Sequence, residues 1–227
     1  MYISVIIPVL NEEANIEKAV LSAKASDEII VVDGGSSDAT VSIAERLGVK
    51  VINTENGRGG QQDAGAREAN GNVFLFLHAD TILPSGWKDM IEMSLIDNNI
   101  IGGAFLLGID SSRRSLYFIS LIANIRARYL GLIYGDQAIF VRKDVFFRVD
   151  GFKGLPIMED IDFIRRLKKQ GKVKLIEEKV LTSDRRWMKS GIIKNTIKNW
   201  FFLFNYYLGV SPEWIYRWYY KGTGKVQ

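Results

Sequence analysis

Residues 73 to 81 read VFLFLHADT, an apolar run that ends in an imidazole and a carboxylate two positions apart. Such a run fits a strand covered on both faces in a parallel sheet. If the backbone stays extended past Leu77, His78 and Asp80 emerge side by side and Ala79 turns away. Mixed nitrogen and oxygen ligation of that kind suits manganese better than calcium. The ordinary reading of an Asp-Thr pair after a strand is a loop or a helix cap. Polar residues also stand where other short apolar runs end: Asn11 and Glu12, then Asp33, then Arg58 within Gly57-Arg58-Gly59-Gly60. Asp33 can accept a hydrogen bond from a ring imide N–H or a ribose hydroxyl, or it can close an Asx turn before two glycines. Arg58 at a helix start is placed where backbone N–H groups and a guanidinium together favour a phosphate, though a solvated arginine is the plainer alternative. A divalent ion at Asp80 would neutralise a diphosphate and improve it as a leaving group. Base, ribose, phosphates and metal would then share one groove.

Those residues need a scaffold that brings strand ends together. The spacing predicts strands over 3–9, 28–32, 49–53 and 73–77, separated by helices over 12–25, from Ser37 or Asp38 to about 47, and over 61–69 after a glycine-rich turn. Strands alternating with helices at this interval demand parallel pairing with right-handed crossovers. The second half is less regular. It predicts helices near 85–96 and 116–130, strands near 102–108, 138–142 and 172–176, and a helix opening at Glu159. From Ile192 onward, Ile193, Ile197, Trp200, Phe204 and Leu208 recur at helical spacing.

A chain of 227 residues, 47% hydrophobic and 25% charged, is composed like an ordinary globular domain. With no cysteine, thiol nucleophiles, disulfides and cysteine metal sites are excluded. No basic n-region precedes the first apolar run, so no signal peptide is expected. The longest apolar stretches are interrupted by Arg126, Arg128, Lys198 or Asn205, so no spanning helix is expected either. The net charge of +4 is unevenly spread: residues 185–227 carry eight Lys or Arg against the single acid Glu213, and four of the five Trp. That end would touch an anionic surface or pack on the domain with its lysines in water.

No G-x-G-x-x-G follows the first strand and no Walker A sequence is present, which argues against dehydrogenase and P-loop chemistry. The segments IIPVLNEE, VVDGGSSDAT, GRGGQQDAGARE and LHADT resemble the nucleotide-binding half of family 2 inverting glycosyltransferases, and YGDQAIFVRK and MEDIDFIRRL resemble their acceptor-side motifs. The resemblance spans almost the whole chain. It implies an α/β fold of GT-A type, with a Rossmann-like, mostly parallel central sheet flanked by helices and an acceptor-side C-terminal part. Residues 1–82 would form the nucleotide-binding half of a single domain, 83–190 the acceptor and catalytic half, and 191–227 amphipathic, aromatic, basic helices. A nucleotide-sugar donor is implied, usually a UDP-sugar, held through Pro8, Glu12, Asp33, Arg58 and Gly59. Asp80 matches the final acid of the D-x-D motif, which binds Mn2+ or Mg2+ through the diphosphate. The first acid is His78 here, the only histidine in the chain, and H-A-D-T resembles a form found in small soluble bacterial members. Ser183-Asp184-Arg185-Arg186-Trp187 resembles the Q-x-x-R-W motif of processive synthases, with Ser where Gln belongs. Arg186 and Trp187 then join Asp136 and Gln137 as expected contacts to the acceptor or donor sugar.

Inverting transfer needs one base to deprotonate the acceptor hydroxyl, and the resemblance assigns Asp160, with Glu159 beside it in an E-D-x-D pattern at a helix start; Asp136 is the other candidate. The neighbouring acids Glu159 and Asp162 and desolvation by the sugar would raise its pKa, whereas without the resemblance these acids would be read as complementing a helix dipole. A single-addition, cytoplasmic enzyme is expected, with no nucleic-acid partner. Two alternatives stand beside it: a degenerate nucleotide-sugar binding protein, and a sugar nucleotidyltransferase, whose glycine-rich loop is unlike PVLNEE. Trp200, Phe201 and Phe204 are expected in a core or lid. The other reading is a peripheral surface at the inner face of the membrane that serves a lipid-linked acceptor.

Overall fold

The structure, a computed structural model, describes residues 1–55 and 57–220, apart from the side chains of residues 186, 189, 190 and 192–195. Four strands of the first half pair in parallel: β1 (Ile3–Val9), β2 (Glu28–Asp33), β3 (Lys50–Asn53) and β4 (Val73–Phe76). They are linked through α1 (Ile16–Ser22), α2 (Thr40–Arg46) and α3 (Gly57–Glu68). The short β5 (Thr81–Ile82) and α4 (Trp87–Ser94) lead into the second half. There β6 (Ile100–Asp110), β7 (Ile139–Arg142) and β8 (Lys172–Ser183) complete one eight-stranded sheet in the order β3-β2-β1-β4-β7-β6-β8-β5. β7 runs antiparallel to both of its neighbours, while β6 and β8 run parallel to each other.

The period of two along β1 explains the two-sided core. Ile3, Val5, Ile7 and Val9 enter one buried cluster with Ile16, Val20, Trp87 and Ile91, whereas Ile6 joins Phe74, Phe76, Ala66 and Phe163 in the other. Pro8 is tolerated in this central strand because the β4 ladder stops at Ile6 opposite Phe76, so Pro8 pairs with β2 alone. α3 lies close on the sheet because Gly65 faces Ile6 and Val32 with no side chain of its own; a Cβ there would sit 2.5 Å from Ile6 Cγ2.

Helices α5 (Arg114–Ile125), α6 (Lys143–Arg148) and α7 (Glu159–Leu167) cover the second half. Phe76, Phe146, Phe152 and Phe163 form an aromatic nest that fastens α7 to β4, with Phe152 and Phe163 stacked at 4.4 Å and Phe76 edge-on to Phe152 at 4.8 Å. Of the predicted boundaries that move, three bear on the site. The helix expected over 116–130 ends at Ile125 and continues as a π turn, Arg126–Leu130. The glycine-rich turn at 57–60 is itself the first turn of α3. The strand expected over 172–176 runs on to Ser183 past a bulge at Glu177 and Glu178.

At the C-terminus, α8 (Arg185–Ser190), α9 (Ile192–Tyr207) and α10 (Pro212–Tyr220) follow β8, and the end of the 191–227 segment lies outside the described residues. Phe202, Leu203 and Ile215 are buried here, not Trp200, Phe201 or Phe204, which are all exposed. The expected core role for those three is corrected: that face of α9 has no cover among the described residues.

Candidate functional site

The parallel register sets Val9 beside Asp33 and Asp33 beside Asn53, so the polar residues that follow β1, β2 and β3 gather along one edge of the sheet. Because β7 is antiparallel, its start rather than its end reaches that edge, with Ile139 opposite Phe76. The 3-10 turn Gly135–Gln137 that precedes β7 is thereby placed next to the segment that follows β4. Residues 78–81 are not extended: Thr81 N–H donates to His78 O at 3.0 Å, which closes a turn with Ala79 buried. The side-by-side projection of His78 and Asp80 expected from strand alternation therefore does not hold. His78 instead lies against Gly135, where a Cβ would meet its Nε2 at 2.7 Å and Asp160 Oδ2 at 3.4 Å.

Asp160 is fixed by two backbone donors: Gly135 N–H reaches its Oδ2 at 2.7 Å and Ile161 N–H its Oδ1 at 2.8 Å. Its partners in the E-D-x-D segment have other duties. Glu159 is buried and lies 3.8 Å from Arg58, while Asp162 binds Arg165 at 3.1 Å and Arg166 at 2.7 Å. Successive helical residues turn by about 100°, so Asp162 projects nearly opposite to Asp160. The expectation that Asp162 would tune the base is corrected by those ion pairs. Met158, which caps α7, has φ +66°, and Ala138 and Asn11, beside the other two loops, have φ +49° and +55°. Side chains in the left-handed region carry strain that folds maintain most often at functional sites.

α3 and α7 bring their N-termini together. A Cβ on Gly59 would sit 3.0 Å from Lys153 O and 3.3 Å from Glu159 Cβ, so only glycine permits this approach. Arg58 is held there: partial burial works against its charge, but the fields of Glu159, Tyr220, Asp160 and Asp80 outweigh that and raise its pKa. One guanidinium thus senses three acids from two segments, the start of α7 and the Asp80 turn, as well as the end of α10.

On the β2 side, Asp33 is buried and takes the turn role. Its Oδ2 accepts from Gly35 N and Ser36 N, both at 2.9 Å, and its Oδ1 from Ser36 Oγ at 2.5 Å. Glu12 is clasped by Arg185, whose Nη2 reaches Oε1 at 2.6 Å and Oε2 at 2.9 Å. Ser183 N–H donates to Asp80 O at 3.0 Å, so the end of β8 is tied to the Asp80 turn. Trp187 is half-buried on α8, and the side chain of Arg186 lies outside the described residues. Gln137 is fully buried and braces the fold, donating from Nε2 to Phe105 O at 3.0 Å and accepting at Oε1 from Tyr134 N at 3.2 Å. Its expected contact with sugar is corrected to this structural one. Asp136 is partly exposed beside it.

The sequence reading missed Gln61, Tyr134 and Arg185. Gln61 is buried, and its Nε2 bridges Val9 O and Val32 O, both at 2.8 Å, locking the ends of β1 and β2 to α3. Its position four residues before Gly65, on the packed face of α3, was the available signal. Burial first, then Asp160 and Asp136 against the opposing Arg126, push the Tyr134 phenol up to about 12. Tyr134 and Arg185 lie within the segments YGDQAIFVRK and Ser183-Asp184-Arg185-Arg186-Trp187, but at positions to which the motifs give no role.

Among the described residues no group of three or more His, Asp or Glu side chains converges as a metal cage. The carboxylate of Asp80 is the kind of oxygen donor that Mg2+ or Mn2+ takes when phosphate oxygens and water complete its shell, whereas the His78 imidazole is turned toward Gly135. The family model for glycosyl transferase family 2 matches residues 4–155, more than half of the chain. The chain belongs to that family. It is 39% identical over 99 residues to an uncharacterized glycosyltransferase of Rickettsia bellii, over 43% of this chain and 34% of that protein. The chain thus spans about a third of that relative's length. Among solved structures it resembles S. aureus TarS 1–349 in complex with UDP-GlcNAc, with TM-score 0.65 and 20% identity over 81% of this chain and 58% of that one. It also resembles glucosyl-3-phosphoglycerate synthase from Mycobacterium tuberculosis in complex with Mn2+, UDP-glucose and phosphoglyceric acid, with TM-score 0.56 and 20% identity over 78% and 69%. The family 2 chain has the GT-A fold of these neighbours.

Proposed function

We propose that this chain transfers a sugar from a nucleotide-diphosphate donor, a UDP-sugar by preference, to an acceptor hydroxyl with inversion at the anomeric carbon. The observation that carries the reading is Asp160, oriented by Gly135 N–H at 2.7 Å and grouped with His78 and Arg58 at the sheet edge. Asp160 takes the acceptor proton as the acceptor oxygen forms its bond to the anomeric carbon, and the bond from that carbon to the β-phosphate oxygen breaks on the opposite face. The diphosphate leaves with the electron pair. Arg58 and the first turn of α3 from Gly57 to Gly59 receive its charge. Asp80, with His78, would hold Mn2+ or Mg2+, which supplies charge neutralisation to the departing diphosphate. Glu159 acts as a positioning residue through Arg58 and Gly59. Pro8, Glu12 and Asp33 line the nucleoside side, and Asp136 and Trp187, with Arg186, the sugar side.

No helix among the described residues is long and apolar enough to cross a membrane. The exposed apolar face of α9 beside the basic C-terminus suits an acceptor presented on lipid. Changing Asp160 to Asn should abolish transfer across a panel of UDP-sugars with Mn2+ while UDP binding stays intact. Near-normal turnover in that variant removes Asp160 as the base. Tight UDP binding by the unaltered chain with no turnover of any donor would favour the non-catalytic binding protein.

A further inference from the structure

Arg126 opens the π turn after α5 and is 8% exposed, yet among the described residues it makes no ion pair. Its Nε has no hydrogen-bond partner. The guanidinium lies 3.4 Å over the Tyr134 ring. Tyr134 leads directly into Gly135, whose N–H holds Asp160, and its phenol senses Arg126, Asp160 and Asp136 together. Tyr207 at the end of α9 senses Arg126 as well, so the guanidinium stands where α5, α9 and the Asp160 loop meet.

A cation withdrawn from water is retained at a cost unless a counter-charge meets it. Arg128, two residues on, shows the ordinary solution: it is half-exposed and pairs with Glu177. Arg126 has the burial without the carboxylate. The π turn that carries it is a rare irregularity, found mostly where function fixes the geometry. Stacking on Tyr134, whose phenol also interacts with Arg126, sets the plane of the guanidinium, and its unpartnered Nε marks a donor available to an oxyanion.

We infer that Arg126, stacked on Tyr134, is the binding site for a phosphate group on the acceptor, holding it so that the acceptor hydroxyl reaches Asp160. The inference rests on the reading of Asp160 as the base. The phosphate belongs either to a soluble phosphate ester or to a lipid headgroup. Exposed apolar residues on α5 and α9, among them Ile122, Ile125, Phe201 and Phe204, give the lipid form a surface to lie on.

The test is titration of the full chain with phenyl phosphate, followed by calorimetry, with a parallel titration of UDP. Saturable phenyl phosphate binding is expected, weakened by about tenfold to a hundredfold in R126Q, as for loss of a charged hydrogen-bond partner, and by less in R126K. UDP affinity should stay within about threefold in both variants, which shows that they are folded. No saturation by the unaltered chain, or equal phenyl phosphate affinity in R126Q, overturns the inference. If R126Q loses UDP binding as well, R126K decides: unweakened phenyl phosphate binding overturns the inference and weakened binding supports it. Failure of UDP to bind the unaltered chain would remove the donor reading while leaving the phenyl phosphate result to judge Arg126. Sedimentation with phosphatidylcholine vesicles containing phosphatidic acid separates the sources: binding lost in R126Q identifies a lipid phosphate, and binding of phenyl phosphate alone identifies a soluble ester.

Discussion

The contact of His78, Gly135 and Asp160 can be tested by adding one methyl group. In Gly135→Ala the new Cβ would sit 2.7 Å from His78 Nε2, 3.1 Å from its Cε1 and 3.4 Å from Asp160 Oδ2. Ordinary contacts between such atoms begin near ~3.5 Å, so the overlap with the imidazole is roughly 0.8 Å. Gly135 is not among the glycines with positive φ, so alanine meets no backbone penalty and the whole effect is steric. Overpacking of this size costs about 1–3 kcal/mol, or a fall of roughly 2–10 °C in Tm for a chain this long. Relief requires the imidazole to swing away or the Gly135 N–H to shift off Asp160, and a misplacement near 1 Å costs about a hundredfold in rate. Transfer should therefore fall by about tenfold to a hundredfold in kcat, with UDP affinity measured in the absence of the ion unchanged. Gly154→Ala is the control, since nothing lies within 4 Å of its added Cβ. The reasoning fails if Gly135→Ala melts and turns over like the unaltered protein.

Tyr134 should govern alkaline stability. Its folded pKa of about 12 lies above the ordinary 10.0, so its contribution is complete below pH 10 and disappears as pH rises through 12. Urea titrations across that window should show a fall of about 2–3 kcal/mol that Tyr134→Phe lacks. Gly65→Ala drives a methyl to 2.5 Å from Ile6 Cγ2 and 2.9 Å from Val32 Cγ2, and a net loss of about 1–2 kcal/mol is expected by denaturant unfolding despite the better helix propensity. His78→Asp should preserve or strengthen the Mn2+-dependent part of UDP affinity, measured by calorimetry with and without the ion. Complete loss would give the imidazole a role beyond ligation.

The parallel half was legible because β1, β2 and β4 are apolar runs, largely buried, that end in residues of a different kind, and burial on both faces leaves few other arrangements; the edge strand β3, exposed or half-buried throughout, follows from the repeat. What escaped prediction has particular causes. Arg58 and Gly59 read as a loop because glycine disfavours helix. Yet Gly59 is what allows α3 to start against Lys153 O and Glu159 Cβ, so a tertiary contact overrides the local preference. Glu177-Glu178-Lys179 breaks the alternation of β8 and hides its last residues, although the strand resumes past the bulge to deliver Ser183 to Asp80. The turn at His78 could not be seen from alternation, which holds only while the backbone stays extended. Helical spacing showed which residues of α9 share a face, but whether a face is covered depends on segments distant in sequence. Trp200, Phe201 and Phe204 are exposed for that reason.

The reversal of β7 explains why the two halves of the site look so different in sequence. In a wholly parallel sheet every functional group at one edge follows a strand, and Asn11, Glu12 and Asp33 obey that rule. Because β7 pairs antiparallel with β4, the residues that precede it arrive at the same edge, and Tyr134 to Gln137 take places no strand end could fill. α7 then begins, rather than ends, beside them, so Asp160 accepts from Gly135 N–H with the positive end of its own helix behind it. On the proposed reading, a base and a phosphate-binding turn at one edge would otherwise come from the same kind of loop and compete for the same space. With one strand reversed, that reading draws its donor side from segments leaving the sheet and its acceptor side from segments that reach the same edge before a strand or helix begins.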